Sequence, residues 1–398
     1  MDQKSPQLEF HYIDSRPKLS ALLKTLEPHP AVGLDTEFIS EGHYEPALCL
    51  VQIAVDGELA IVDPIAIHDL SPLWKLLNER ELVTVAARQE VRFAAKGGGA
   101  PPNKVLDLQI AAGLLGFGYP LSHTNLVLRV LGQKVHGGES FTDWRKRPLT
   151  QTQLKYAADD VRYLLAIREK LIAKAQEMDR LSWVEGECTR LVKQVLREEE
   201  RWRVSGSARL SRRQMAVLRE LWRWRDRSAQ QLNAPATRIL GDSLLVEVAR
   251  RSPKTAEDLF ALRGLDRRSV RTAANDIVAA VCVALETPDS DLPRIERHDD
   301  PPQVAILAKL LSVAANGLAA EYQVDPALLA TTADLQELVR WHLRPDEAEK
   351  PILMDGWRGK ILGEPLLGVL EGKRCVRVGR TRSANPLVFE KHVASPEK

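Results

Sequence analysis

The chain has 398 residues, of which 44% are hydrophobic and 28% charged, with a formal net charge of +2. That length predicts two or three domains, and the composition is ordinary for a soluble globular protein. No apolar run approaches the roughly 20 residues that a membrane span needs. The opening MDQKSPQLEF has no apolar core of the signal-peptide kind, so the expectation is a cytoplasmic protein with no membrane partner.

VGLDTEF (32–38) reads as a strand. Val32, Leu34, Thr36 and Phe38 share one parity and Gly33, Asp35 and Glu37 the other, so two carboxylates share one face. They lie about 6.5 Å apart, where like charges repel by about 2–3 kcal/mol at an effective dielectric near 20. Either both acids face water or cations sit on them, since hard divalent ions choose carboxylate oxygens. ALCLVQIAV (47–55) and ELAIVDP (58–64) read as two more strands joined by a hairpin turn, which predicts an antiparallel meander. Helical patterns follow over 71–79 and from Gln89 to Lys96, with a strand-like LVTVAA (82–87) between them. VLDLQIAAGLLG (105–116) reads as an apolar helix. SHTNLVLRVLG (122–132) reads as another, N-capped by Ser122 and C-capped by Gly132. A single long amphipathic helix is expected from Thr150 to about Glu177. On it Tyr156 and Asp160 are four apart and share a face. Strands first, then strand–helix alternation, predicts a mixed α/β layer architecture.

REEERWRVSGSARLS, after Leu196, has the composition of a linker. Beyond it the pattern is helical to about 373. RILGDSLLVEVARR (238–251) weakly repeats as ALLATTADLQELVRW (327–341), which predicts two small helical domains in tandem, joined by TPDSDLPRIERHDDPPQ (287–303). The tail from 374 to 398 has little apolar periodicity and is expected to lack order. Residues 201–230 hold nine arginines and two acids, a net +7 with three tryptophans interleaved. Such a segment is either a solvated helix face or a phosphate-binding surface. Arg212, Arg213, Arg219, Arg223 and Trp222 are its candidate nucleic-acid contacts. The four cysteines lie far apart with no CxxC pair, which argues against a cysteine zinc site or a disulfide framework.

VGLDTEF and, some 120 residues on, YAADDV resemble the first and third motifs of the DEDD superfamily of 3′–5′ exonucleases, in its tyrosine branch. SFTDWRKRPLTQTQLKYAADDVRYL (140–164) is similar to the ribonuclease D family, including the TDW…RPLT run. Residues 214–265 resemble an HRDC domain, and 303–372, with DGWRGKIL (355–362), a second copy. The resemblance implies an α/β ribonuclease H-like exonuclease domain, a mixed sheet flanked by helices, over 1–196. A linker (197–210), an all-α HRDC domain (211–286), a second linker (287–302) and a second HRDC domain (303–373) would follow.

It also implies an enzyme, a two-metal 3′–5′ exoribonuclease releasing nucleoside 5′-monophosphates. Two divalent cations, Mg2+ or Mn2+, would sit on Asp35, Glu37, Glu90 and Asp160, with Tyr156 orienting the attacking water. The partner would be RNA with a free 3′ end, tRNA precursors above all, acted on by a monomer with no required protein partner. Three positions depart from the family pattern: Glu90 stands for an Asp, Val85 for a His and Gly137 for a Lys. Asp107 matches a family acid outside the metal set. Two alternatives stay open. One is a nucleic-acid-binding protein whose exonuclease site is weakened or inactive; a lesser one is a DNA-directed exonuclease.

Overall fold

The computed structural model describes residues 9–135, 142–200, 204–266, 268–293, 300–346 and 348–391. Gly137, parts of both expected linkers and the last seven residues lie outside these. By contacts the chain forms two compact units. One comprises 1–35, 51–193 and 298–398, and the other 36–50 and 194–297.

A six-stranded mixed sheet forms first, from β1 (His11–Ile13), β2 (Ala31–Ile39), β3 (Ala47–Val55), β4 (Glu58–Val62), β5 (Glu81–Thr84) and β6 (Lys104–Asp107), in the order β1-β4-β3-β2-β5-β6. β3 and β4 pair antiparallel, while β1–β4, β2–β5 and β5–β6 pair parallel. The intervening helices are α1 (Arg16–Leu26), α2 (Ser71–Asn78), α3 (Arg88–Gly98), α4 (Leu108–Leu114), α5 (His123–Leu131), α6 (Gln151–Arg162), α7 (Leu164–Glu177) and α8 (Leu181–Glu200). Ala54, Val83 and Leu106 of the sheet share a core with Leu126, Val161, Leu164, Ile167 and Leu171 of α5–α7.

Two sequence expectations are corrected here, and two elements are added to them. β1 and α1 precede the first expected strand. Residues 105–107 belong to strand β6, and the helix starts only at Leu108. The single helix expected from Thr150 to Glu177 breaks at Tyr163, whose φ of −100° and ψ of −7° end α6 before α7 begins. The expected caps of α5 are present: Ser122 accepts from the Asn125 N–H and Gly132 is left-handed.

The second unit is helical: α9 (Arg212–Leu232), α10 (Ala236–Ile239), α11 (Asp242–Arg251), α12 (Ala256–Phe260), α13 (Arg268–Thr272) and α14 (Ala274–Glu286). Its core is its own, built on Leu218, Leu221, Leu245, Leu259, Ile277 and Val281. The loop after β2 belongs to this unit. The Tyr44 hydroxyl donates to Asp226 at 2.7 Å and accepts from Gln230 Nε2 at 3.1 Å.

The remaining helices return to the first unit: α15 (Pro302–Tyr322), α16 (Pro326–Leu329), α17 (Thr332–Leu343), α18 (Gly356–Arg358), a π-helical turn (Gly359–Gly363) and α19 (Glu364–Leu370). α15, α16 and α17 start 90 residues after α9, α10 and α11, and α15 and α9 both have 21 residues. The residues closing them, Asn233 and Gln323, are both left-handed and also 90 apart. The faint sequence repeat is therefore a repeat of structure.

α15 also corrects the reading of apolar runs: with a mean hydropathy of 1.5 it is long and apolar enough to cross a membrane. Here Val304, Ala308, Leu311, Ala315 and Leu318 bury one face of it in the first unit's core, while Ile306, Leu310 and Val313 stay exposed. Residues 374–391, expected to lack order, form an antiparallel hairpin of β7 (Arg374–Val378) and β8 (Leu387–Lys391). A Cβ on Gly317 of α15 would meet Leu387 at 3.1 Å, so the helix must present glycine there for the hairpin to lie close.

Candidate active site

β2 alternates as its sequence requires. Val32 and Leu34 are fully buried, while Asp35 and Glu37 are half-buried on the opposite face with Gly33. A Cβ on Gly33 would lie 3.1 Å from the Ala54 Cβ and 3.3 Å from that of Leu164. The acid face of β2 therefore turns toward the α6–α7 junction, and a larger residue than glycine at 33 would push the first residue of α7 away.

The approach to α6 is fixed by a buried ion pair. Asp63, just after β4 and 2% exposed, accepts from Arg147 Nε at 2.6 Å and Nη2 at 2.8 Å, and from the Tyr12 hydroxyl. Burial alone would raise the Asp63 carboxyl, but these bonds outweigh it and hold it below the usual carboxylate range. Arg147 Nη1 also donates to the Trp144 carbonyl at 2.7 Å. Thr150 and Gln153 then form a capping box that starts α6, and Gln153 Nε2 donates to Thr142 Oγ1 at 2.9 Å. The TDW…RPLT run is thus a scaffold for the helix carrying Tyr156 and Asp160. The buried Trp144 ring packs on Tyr156, with centroids 6.1 Å apart. Asp63 and Arg147 escaped the sequence reading because they are 84 residues apart and neither carries a local signal.

Asp160 faces inward, 13% exposed, with His123 Nδ1 3.8 Å from its Oδ1; Asp159 turns instead to Arg162, at 3.6 Å. Burial holds the His123 imidazole below its ordinary range, so it is neutral near pH 7. Glu90 is in the first turn of α3 and only 5% exposed. The backbone leading to it is held by Asp107, whose carboxylate accepts from Ala87 N at 2.9 Å and also caps α4 through Gln109 N at 2.9 Å. Ala86, at φ +61°, takes up a left-handed turn between β5 and α3 that an alanine adopts only at some cost. Asp107 thus acts on the turn before Glu90. Val85, at the expected His position, is partly buried against the core.

Among the described residues no three acidic, His or Cys side chains converge into a ready cage for a metal ion. The candidate donors sit on three elements: β2, α3 and α6. They are carboxylates throughout, the set that hard divalent ions prefer to softer metals. Buried polar atoms without a described partner flank them: both amide atoms of Gln52, Trp144 Nε1 and His123 Nε2. The chemistry of these residues fits a divalent-ion site.

The five nucleic-acid candidates of α9 have mostly structural partners. Arg212 donates to the carbonyls of Asp289 and Leu292. Arg213 caps the end of α14 through the Leu285 carbonyl at 3.2 Å and pairs with Asp289 at 2.5 Å. Arg223 pairs with Glu220 at 2.6 Å, and Arg219 lies 3.5 Å from the same carboxylate. Trp222 packs against the unit's core. Arg227 and Arg238 are exposed and make no ion pair among the described residues.

The 3′–5′ exonuclease family profile matches residues 10–176, and the HRDC profile matches 214–281. The chain is 34% identical to a ribonuclease D of Gluconacetobacter diazotrophicus, over 92% of this chain and 93% of that one. It is 31% identical to one from a Shewanella species, over 90% and 93%. The structure is similar to Escherichia coli RNase D, described as an exoribonuclease involved in structured RNA processing. That match has a TM-score of 0.80 at 27% identity, covering 92% of this chain and 99% of that one. The chain belongs to the ribonuclease D family of 3′–5′ exoribonucleases.

Proposed function

We propose that the chain trims RNA from a free 3′ end with two divalent ions, Mg2+ or Mn2+, held by Asp35, Glu37, Glu90 and Asp160. The observation that carries the reading is the acid face of β2 turned toward the junction that follows Tyr156 and Asp160. When bound, such ions stabilise the charge that develops on the attacking and leaving oxygens of an in-line displacement. The residues do the rest. The carboxylates of β2, α3 and α6 bind and orient. The Tyr156 hydroxyl, a neutral donor and acceptor, holds the attacking water without adding charge. Trp144 fixes the Tyr156 ring. The water oxygen bonds to phosphorus, the bond from phosphorus to the 3′ oxygen breaks, and a proton moves to that oxygen. A nucleoside 5′-monophosphate leaves a chain shorter by one.

The substrates under this reading are tRNA precursors and other stable RNAs, handled in the cytoplasm by a monomer that needs no protein partner. Residues 303–373 are a second HRDC copy, supported by the 90-residue repeat of helices. Arg212, Arg213, Arg219, Arg223 and Trp222 belong to the first copy's frame, and RNA runs along its exposed basic edge.

The experiment is release of 5′-monophosphates from 3′-labelled RNA and matched DNA, with Mn2+ or Mg2+. Asp35→Asn or Asp160→Asn should cost a thousandfold or more, about 4 kcal/mol of barrier, without loss of stability. Retention of most activity by Asp35→Asn would place the site elsewhere. Glu90 favours a second reading, because its extra methylene moves the carboxylate by about 1–1.5 Å relative to an Asp. An active site adapted to Glu90 should lose roughly ten- to a hundredfold in Glu90→Asp. A rise in rate would instead mark a weakened site in a protein that chiefly binds nucleic acid.

A further inference from the structure

Gln52 sits in the middle of β3 at 0% exposure, and neither its Oε1 nor its Nε2 has a hydrogen-bond partner among the described residues. Its neighbour on β4 is Ile61, which offers its side chain nothing polar. A buried carboxamide with no partner is rare and costly, so its place needs a reason.

The reason lies on the next strand. β2 and β3 are neighbours joined by residues 40–46, a connection too short for a parallel crossover, so the two run antiparallel. Gly33 faces Ala54, at 3.1 Å from a Cβ built on the glycine. Two residues along each strand, in opposite directions, Asp35 comes beside Gln52 on the same face of the sheet. At that separation a glutamine side chain reaches a carboxylate one strand over. Glutamine suits the position because its Nε2–H groups can donate to a carboxylate while the group adds no charge to a cluster of acids.

We propose that Gln52 is a positioning residue for Asp35. Its carboxamide holds one carboxylate oxygen and so presents the other to a divalent ion, and it gains its partner when the ion is bound. This rests on the reading of Asp35 as an ion ligand. Hydrogen bonds of this kind, from a neighbour to a ligating side chain, commonly change ion affinity ten- to a hundredfold.

Mn2+ binding to the full chain by titration calorimetry, with melting of the metal-free protein alongside, tests it. Gln52→Met keeps the length and shape and removes the amide; Gln52→Leu is the second variant. Both should melt, without metal, at or above the wild-type temperature, because an unsatisfied buried amide has gone. Both should bind Mn2+ about tenfold more weakly. Mn2+ affinity within twofold of wild type, or loss of the metal-free fold in both variants, would make Gln52 a packing residue and overturn the proposal. Asp35→Asn separates the two levels. If wild type binds no Mn2+, or Asp35→Asn binds as wild type does, the reading of the site fails first. If Asp35→Asn loses binding while Gln52→Met keeps it, only the role of Gln52 fails.

Discussion

α9–α11 and α15–α17 share helix starts, a 21-residue first helix and a left-handed closing residue, yet their surfaces are opposite in kind. α9 carries six arginines, whereas α15 has one basic residue, Lys309, and one acid, Glu321. The first copy closes on a core of its own. The second shares its core with α4–α8 and the sheet, and polar clamps lock it there. Arg180 donates to the Leu114 and Tyr322 carbonyls at 2.9 and 2.7 Å. The Asp325 N–H donates to the Gly113 carbonyl at 3.0 Å. Arg358, 4% exposed, pairs with the buried Glu187 of α8 and donates to the Leu328 carbonyl at 2.7 Å. Trp357 stacks on Trp183 at 4.8 Å. One helical frame can thus serve as a module or as part of another domain's interior. The residues on its outward faces decide which.

The sharpest way to break the comparison is to unlock the second copy. Arg358→Met leaves the Glu187 charge buried beside a hydrocarbon, with Arg190 at 2.8 Å and the Trp357 Nε1–H at 3.2 Å left to answer it. That should cost about 3–5 kcal/mol and lower the denaturant midpoint of the whole first unit, with loss of the near-ultraviolet dichroism of the Trp183–Trp357 stack. Adding Glu187→Leu should recover most of the loss. If Arg358→Met unfolds at the wild-type midpoint, the clamp is ornamental and the second copy is held by apolar packing alone.

Acid should act on the same clamp. Burial would raise the Glu187 carboxyl, but hydrogen bonds and charge from Arg358, with Arg190 adding to them, hold it below its ordinary value of 4.5. A group depressed in the folded state stabilises above its unfolded value and loses that contribution as pH falls through the folded one. Stability of the first unit should therefore decline below about pH 4.5. The decline should be shallower in the Glu187→Leu/Arg358→Met protein. Equal slopes in acid titrations followed by tryptophan fluorescence would mean that other carboxylates, Asp63 among them, carry the effect.

In the first copy the largest expected loss is smaller and local. Arg213→Ala removes the donor that caps α14 and should cost about 1–3 kcal/mol, the range for buried acceptors left unsatisfied. RNA affinity at fixed salt should stay within twofold of wild type, because the guanidinium is already engaged with Leu285 and Asp289. A drop in affinity with unchanged stability would restore Arg213 as a nucleic-acid contact.

These cases also mark what the sequence could show. Local, periodic features were legible: the acid-bearing strand, the β3–β4 hairpin, the caps of α5, and Tyr156 and Asp160 on one helical face. Features that depend on distant partners were not. The amphipathic pattern runs on across Tyr163, so periodicity cannot see the break that packing against Gly33 accompanies. β6, a short parallel strand buried at Val105–Asp107, reads as the first turn of an apolar helix because burial on both faces erases alternation. The β7–β8 hairpin depends on Gly317, some 70 residues away. The partners of the α9 arginines stay hidden for a related reason: a carbonyl at the end of another helix has no sequence signature, whereas arginine density does. Gln52 gave no signal at all, since one polar residue in an apolar strand carries no period.

The smallest expected effect is the most informative about the first copy's surface. Arg227 and Arg238 are the α9–α10 arginines left exposed with neither an ion pair nor a side-chain hydrogen bond among the described residues; Arg227 lies in the last two turns of α9, whose final residue Leu232 is 69% exposed, and Arg238 lies on α10. A guanidinium already paired inside the protein gains little by moving to a phosphate, because it must first lose its partner; a solvated one loses only water and a condensed counterion. If RNA passes this edge, each contact should contribute about 0.7 to the log–log salt slope for a single strand. Arg227→Ala with Arg238→Ala should then flatten the slope by roughly 1.4 between about 50 and 200 mM salt. Stability should not change, since neither side chain caps or pairs. Arg213→Ala, measured in the same series, should unfold more readily and keep the wild-type slope. A double variant with the full wild-type slope would show that α9 is a frame on every face, and that its charge serves the fold alone.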